Sequence, residues 1–228
     1  MTALSIAHIA ALYKTLSASR MGTFDDAVVH TTCSALDLYA WNANVSAALL
    51  APLHICEVSL RNAVSEALEV MYGQNWPWDG AFRRSLPNPS GRGVYSPRRD
   101  IENTSARYQT TGKVIPELKF VFWETMLTGR HDGRIWNSQL HSIFPNLPTF
   151  PARTRQKEIK LGRLYLHDRI ENIRSLRNRI AHHEPIFSRD LLEDMRSIEA
   201  ITRARCNVTC DWMLQTELAT ITILERPI

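Results

Sequence analysis

Apolar positions recur at helical spacing along most of the chain. In residues 3–17 Ile6, Ile9, Ala10 and Tyr13 share one stripe, which predicts an amphipathic helix. Ser17 to Phe24 reads as a short connection. From 25 to 71 the pattern is helical again, through Leu36, Tyr39, Ala47, Leu50, Ile55 and Val58. Asp25 and Asp26 suit a helix start, where carboxylates meet the positive end of the dipole. Pro52 has no amide proton and predicts a break into two helices. Residues 100–111 fit a polar helix, and Pro116 fits the first position of a helix over PELKFVFWETML. A short helix is expected over Gly133–Phe144, then a loop at FPNLPTFP. Lys157 to about His183 forms the clearest basic amphipathic segment, and a last helical segment fills about 188–223. No alternating strand pattern interrupts this series. The expected fold is therefore all-α, a helical bundle forming a single domain over residues 1–228.

Residues 72–99 break the pattern. Four Pro and four Gly fall among 28 residues, so the segment reads as a long loop. Loops of that length inside a domain are usually functional or mobile. This one interleaves Trp76, Trp78 and Tyr95 with Arg83, Arg84, Arg92, Arg98 and Arg99. Aromatics beside arginines suit base stacking and phosphate contact. They suit equally a loop pinned to a core by its tryptophans.

Composition changes this picture little, but charge does. The 228 residues are 44% hydrophobic and 22% charged, with a net charge of +4 and a pI of about 9.0. Between Arg153 and Arg189 ten Lys or Arg face four Asp or Glu, a balance of +6. The positive charge is thus gathered in one stretch, as a phosphate-binding face requires, although a solvated helix face would look the same. The four cysteines Cys33, Cys56, Cys206 and Cys210 form no CxxC pair. They read as reduced, mostly buried thiols of a cytoplasmic protein. No secretory signal pattern and no run of 18 apolar residues is present, so no membrane partner is expected.

The densest chemistry is "LRNRIAHHEPIF", Leu176 to Phe187. Ile170, Ile173, Leu176, Ile180 and Ala181 mark a buried stripe, and Arg177 falls in the same phase. An unpaired guanidinium there is costly, so Arg177 should be paired or should face a cleft or a subunit interface. Asn178 and His182 lie four apart on an adjacent face. Glu184 precedes Pro185, which places the helix end near His183 and lets Arg177 and His182 converge on one pocket. Adjacent His182, His183 and Glu184 point about 100° apart and make a poor metal cluster, so no metal or other cofactor is expected. Two readings remain: a helix end with histidines near the dipole, and phosphodiester chemistry. In the second, arginine neutralises a phosphate and histidine moves protons near neutral pH. Cleavage by the substrate's own 2′-OH needs no metal and is confined to RNA. Arg174 and Arg179 on the same basic segment are candidates for RNA contact. Glu57 and Arg61, four apart, form either a simple ion pair or, with Asn62, a cleft lining that orients Arg177 or Asn178. His54, His131, His141 and His167 lack partners in the sequence and read as structural or exposed.

These residues also carry a family resemblance. "RNRIAH" resembles the R-(N/D/H)-x3-H motif of the HEPN superfamily of helical nucleic-acid enzymes. The longer string resembles the C-terminal signature of the abortive-infection (Abi-like, AbiD/AbiF-type) branch. "SASRM" at 17–21, "ALDLYAWNANVSAALL" at 35–50, "EVSLRNAV" at 57–64 and "IPELKFVFWETML" with "IFPN" at 115–146 resemble blocks of that branch in the same order. The branch often has glycine before the Phe-Trp pair, where this chain has Val121. The resemblance implies a HEPN-like helical bundle and a metal-independent endoribonuclease of a phage-defence or toxin type. It implies a homodimer with a composite active site, and a toxin of this kind can have an antitoxin partner. Arg177 and His182 would be catalytic, with Asn178 as polar companion and His183 in support. The alternative is a non-catalytic HEPN-type module that binds RNA or a partner protein.

Overall fold

The computed structural model describes residues 4–228; Ala3, the first residue of the expected N-terminal helix, lies outside them. The described residues are helical throughout and contain no strand. The chain opens with α1 (Ile6–Leu16) and α2 (Ala18–Val28). α1 forms where its spacing predicts, but none of its residues is buried and Ile6 is 88% exposed. Most of its apolar stripe therefore faces solvent, and only Tyr13 and Leu16 near its end pack against the core. The expected connection at 17–24 is instead helix α2: Ser17 caps it, and Met21 and Phe24, three apart, bury its inner face. Asp25 and Asp26 lie near the end of that helix and start none.

α3 (Ala35–Tyr72) is the spine of the molecule, 38 residues or about 57 Å long. Ser34 accepts the amide of Asp37 at its start, and Gly73, at φ 79°, ends it by donating to the Glu69 carbonyl. Pro52 does not divide it, contrary to the sequence expectation. The missing amide bond costs about 3 kcal/mol in a helix, whereas fifteen α3 side chains are buried against neighbours on both sides of the proline, and that packing prevails. By length and composition α3 could cross a membrane: its most apolar 18-residue window has a mean hydropathy of 1.4. In this fold it lies at the centre of the bundle, with other helices packed along it.

The segment expected to be loop at 72–99 is largely folded. A 3-10 turn at Trp76–Trp78 leads into α4 (Gly80–Ser85), capped by Asp79. Trp76 is buried, donates to Ser65 Oγ at 3.1 Å and packs on Phe82, Phe122 and Trp123. Trp78 donates to the Ser105 carbonyl, and Arg83 binds the Pro77 carbonyl and Ser105 Oγ. Arg99 binds the Pro89 and Val94 carbonyls. The tryptophans and two of the arginines thus pin the segment. Only 86–96 lacks regular helix before α5 (Pro97–Ser105), which begins three residues before the expected polar helix and ends well short of 111.

α6 (Thr111–Val114) and a 3-10 turn at Ile115–Glu117 follow, so Pro116 opens that turn and not the helix; α7 spans Phe120–Met126. A π-helical turn at Asp132–Trp136 leads into α8 (Asn137–Ile143). α9 (Arg155–Ala181), capped by Thr154, carries the basic segment, and α10 (Leu191–Arg205), α11 (Asn207–Thr216) and α12 (Ala219–Leu224) complete the chain. The single expected C-terminal segment is three helices, because the chain turns extended at Cys206 and again at Glu217. α9 buries Ile159, Leu166, Ile170, Ile173, Leu176 and Ile180 against α7, α8 and α10, while Ala181, expected on that stripe, is exposed. All four cysteines are free; Cys56 and Cys210 are buried, Cys33 and Cys206 half-buried.

Candidate functional site

The end of α9 is built from backbone geometry. His182 is the last half-helical residue, and His183 takes the left-handed conformation at φ 56°. The His183 amide then donates to the Ile180 carbonyl, and the Glu184 amide to that of Arg179 at 2.8 Å. This pair of bonds is the Schellman arrangement, normally closed by glycine. An apolar contact usually accompanies it; here Arg179 and Glu184 face each other at 3.7 Å instead. Arg179 also places Nε and Nη2 on the Pro185 carbonyl, at 3.1 and 2.7 Å. Its donors are spent on the turn.

Two residues outside the motif clamp this turn. Arg20 of α2 donates to the His183 carbonyl. Asn42 of α3, almost fully buried, accepts the amides of Ile186 and Phe187 at 2.8 and 3.2 Å. Phe187 then packs on Phe24. Sequence reasoning quoted both strings that contain Arg20 and Asn42 but assigned neither a role. The signal was present in Asn42, a lone polar residue among Leu38, Trp41, Val45 and Leu49.

Arg177 does not lie on the buried stripe: its side chain is 42% exposed and opens into a cleft of about 510 Å³. Asn178, Arg174 and Arg61 line the same cleft. Glu57 stands behind it. It pairs with Arg61 and reaches Arg177 Nε at 3.9 Å, so one carboxylate serves two guanidiniums. Arg61 also donates to the Pro116 carbonyl at 3.1 Å. Burial depresses the Arg61 pKa; the Glu57 carboxylate opposes that, and the Arg177 charge adds to it. Arg174 is paired with Glu124, a nearly buried carboxylate that sequence reasoning also missed.

The candidate residues thus do not gather in one place. Arg177, Asn178, Arg174, Arg61 and Glu57 belong to the cleft. His183 lines a separate cavity of about 280 Å³ with Arg20, Tyr39, Asn42 and Glu184. His182 is exposed at the helix end and lines neither. Asn62 faces away, into a third cavity with His54 and Arg205. Among the described residues no three His, Cys, Asp or Glu side chains gather closely enough to hold a metal ion. Comparison with known protein families, curated proteins and solved structures finds no match to this chain.

Proposed function

We propose that the chain is a HEPN-type, Abi-like endoribonuclease that cleaves RNA without a metal, in a phage-defence (abortive-infection) or toxin role. The observation that carries this reading is Arg177: half exposed, loosely held by Glu57 at 3.9 Å, and open to a cationic cleft one turn before two histidines. A guanidinium so placed can take a phosphate oxygen pair without losing a strong partner. In the proposed reaction His182 accepts the proton of the substrate's 2′-OH as that oxygen attacks the adjacent phosphorus. Arg177 stabilises the charge that develops on the phosphorane. The 5′-oxygen leaves and is protonated by a second acid, the second protomer's His182. Products are a 2′,3′-cyclic phosphate and a 5′-OH. His182 stands outside the cleft that Arg177 lines, and the reading supplies it from a homodimer in which one protomer's His182 completes the other's cleft.

That same separation favours a second reading, a binding module in which the cleft holds RNA or an acidic partner and nothing is cut. Incubating total RNA and a matched DNA oligonucleotide with EDTA, with product ends mapped, separates the two. Ribonuclease action gives RNA cleavage only, cyclic phosphate ends, and at least a hundredfold loss in His182→Ala, in line with the usual contribution of a general base or acid. RNA bound but intact in both proteins supports the module.

A further inference from the structure

The lining of the Arg177 cleft is of two chemical kinds. Arg61, Lys119, Arg174 and Arg177 bring four cations, against Glu117 as the one acidic side chain. Tyr95, half-buried, and Pro116, exposed, bring ring surface, with Leu118 and Phe120 buried behind them. The cations are under-compensated. Glu57 is shared by Arg61 and Arg177, Arg174 is taken by Glu124, and Lys119 is exposed at the start of α7 and enters none of the ion pairs among the described residues. Arg61 Nε is buried without a hydrogen-bond partner. Two guanidiniums held by one carboxylate repel each other, and an anion arriving between them removes that cost. Burial depresses the Arg61 pKa most, and the Arg177 charge adds to it.

A bare phosphate would use only part of the space. At about 510 Å³ the cleft is within the range of small-molecule sites, about 300–1,000 Å³, and its apolar lining would be left wet. A phosphate joined to a flat ring satisfies both kinds of lining, since bases of any identity stack on aromatic side chains. Asp100 steadies that lining: its Oδ2 accepts the Tyr95 phenol at 2.8 Å and the Lys119 amide at 3.3 Å. We propose that this cleft holds one nucleotide unit of an RNA strand, its phosphate on Arg61, Arg177 and Lys119 and its base against Tyr95 and Pro116. That the nucleotide belongs to RNA rests on the ribonuclease reading; the preference for a phosphate joined to a ring does not.

Calorimetry on the full chain, in EDTA and low salt, with uridine 3′-monophosphate, uridine and inorganic phosphate tests this. The nucleotide should bind at least about tenfold more tightly than uridine or phosphate, because each lacks half of the contacts. Lys119→Gln, at an exposed position, should weaken nucleotide binding about tenfold with an unchanged melting temperature. Arg61→Gln should weaken it further, but only a variant that melts cooperatively is counted. Phosphate or uridine binding as tightly as the nucleotide overturns the proposal, as does an unaltered affinity in Lys119→Gln. RNA cleavage without nucleotide binding also overturns it and leaves the ribonuclease reading intact. Nucleotide binding without cleavage upholds the nucleotide site and sinks the ribonuclease reading.

Discussion

His183 and His131 are both held in unfavourable circumstances, for different reasons. A non-glycine residue at φ 56° costs about 1–2 kcal/mol, so His183→Gly should raise the urea midpoint by an equivalent of about 1 kcal/mol. A loss of stability would mean that the turn is held by the imidazole and not by backbone geometry. His131 is 2% exposed, and burial lowers its pKa to about 4, with Arg130, Arg134 and Arg163 adding to the effect. The unfolded chain takes up a proton near pH 6.5 and the folded chain does not until about pH 4. Stability is therefore full above about pH 6.5 and declines as pH falls to about 4, by about 3 kcal/mol in all. Melting curves across that range should show the decline, and His131→Leu should flatten it. Nothing in the sequence around His131 gave this away, because its burial comes from long-range packing. That Arg177 opens into a cleft was legible, because a guanidinium in phase with an apolar stripe needs one. That His182 lines no part of that cleft was not, because a cleft is walled by residues far apart in the chain.

Local pattern located the helices best where they were long and amphipathic. α9 lies within two residues of its expected bounds, and helical spacing at 25–71 was right in kind. Pro52 misled because a proline's local cost was weighed without the packing that overrides it. Residues 72–99 misled because Pro and Gly signal the absence of long helices, not the absence of order. Their order comes from tryptophans, whose partners Ser65 and Ser105 lie far along the chain. Trp76→Ala should therefore cost about 3–5 kcal/mol, the range for a large aromatic in a core. Limited proteolysis should then cut first within 72–99. A variant that stays as protease-resistant as the wild type would show that the segment is fixed by its arginines alone.

At the scale of the whole molecule, the positive charge visible between Arg153 and Arg189 divides. Part of it is consumed internally: Arg163 is buried on Asp132 and the Leu127 carbonyl, and Arg189 forms a paired contact with Asp194. The cleft draws Arg174 and Arg177 from this stretch and Arg61 and Lys119 from elsewhere, while Arg153, Arg155, Lys157 and Lys160 are exposed. Contact with one phosphate of a single strand gives a slope of about −0.7 in log affinity against log salt. Filter binding of single-stranded RNA from 50 to 300 mM salt should return about that slope. A value twice as steep would show that residues outside the cleft carry the strand. The end of α9 has a further consequence. Asn178 lines the cleft, and Ile180, two residues on, lines the His183 cavity. Two residues advance a helix by only about 3 Å, so the two openings lie back to back across α9. A displacement of this one turn redraws both linings at once, and a ligand seated in either opening registers in the other.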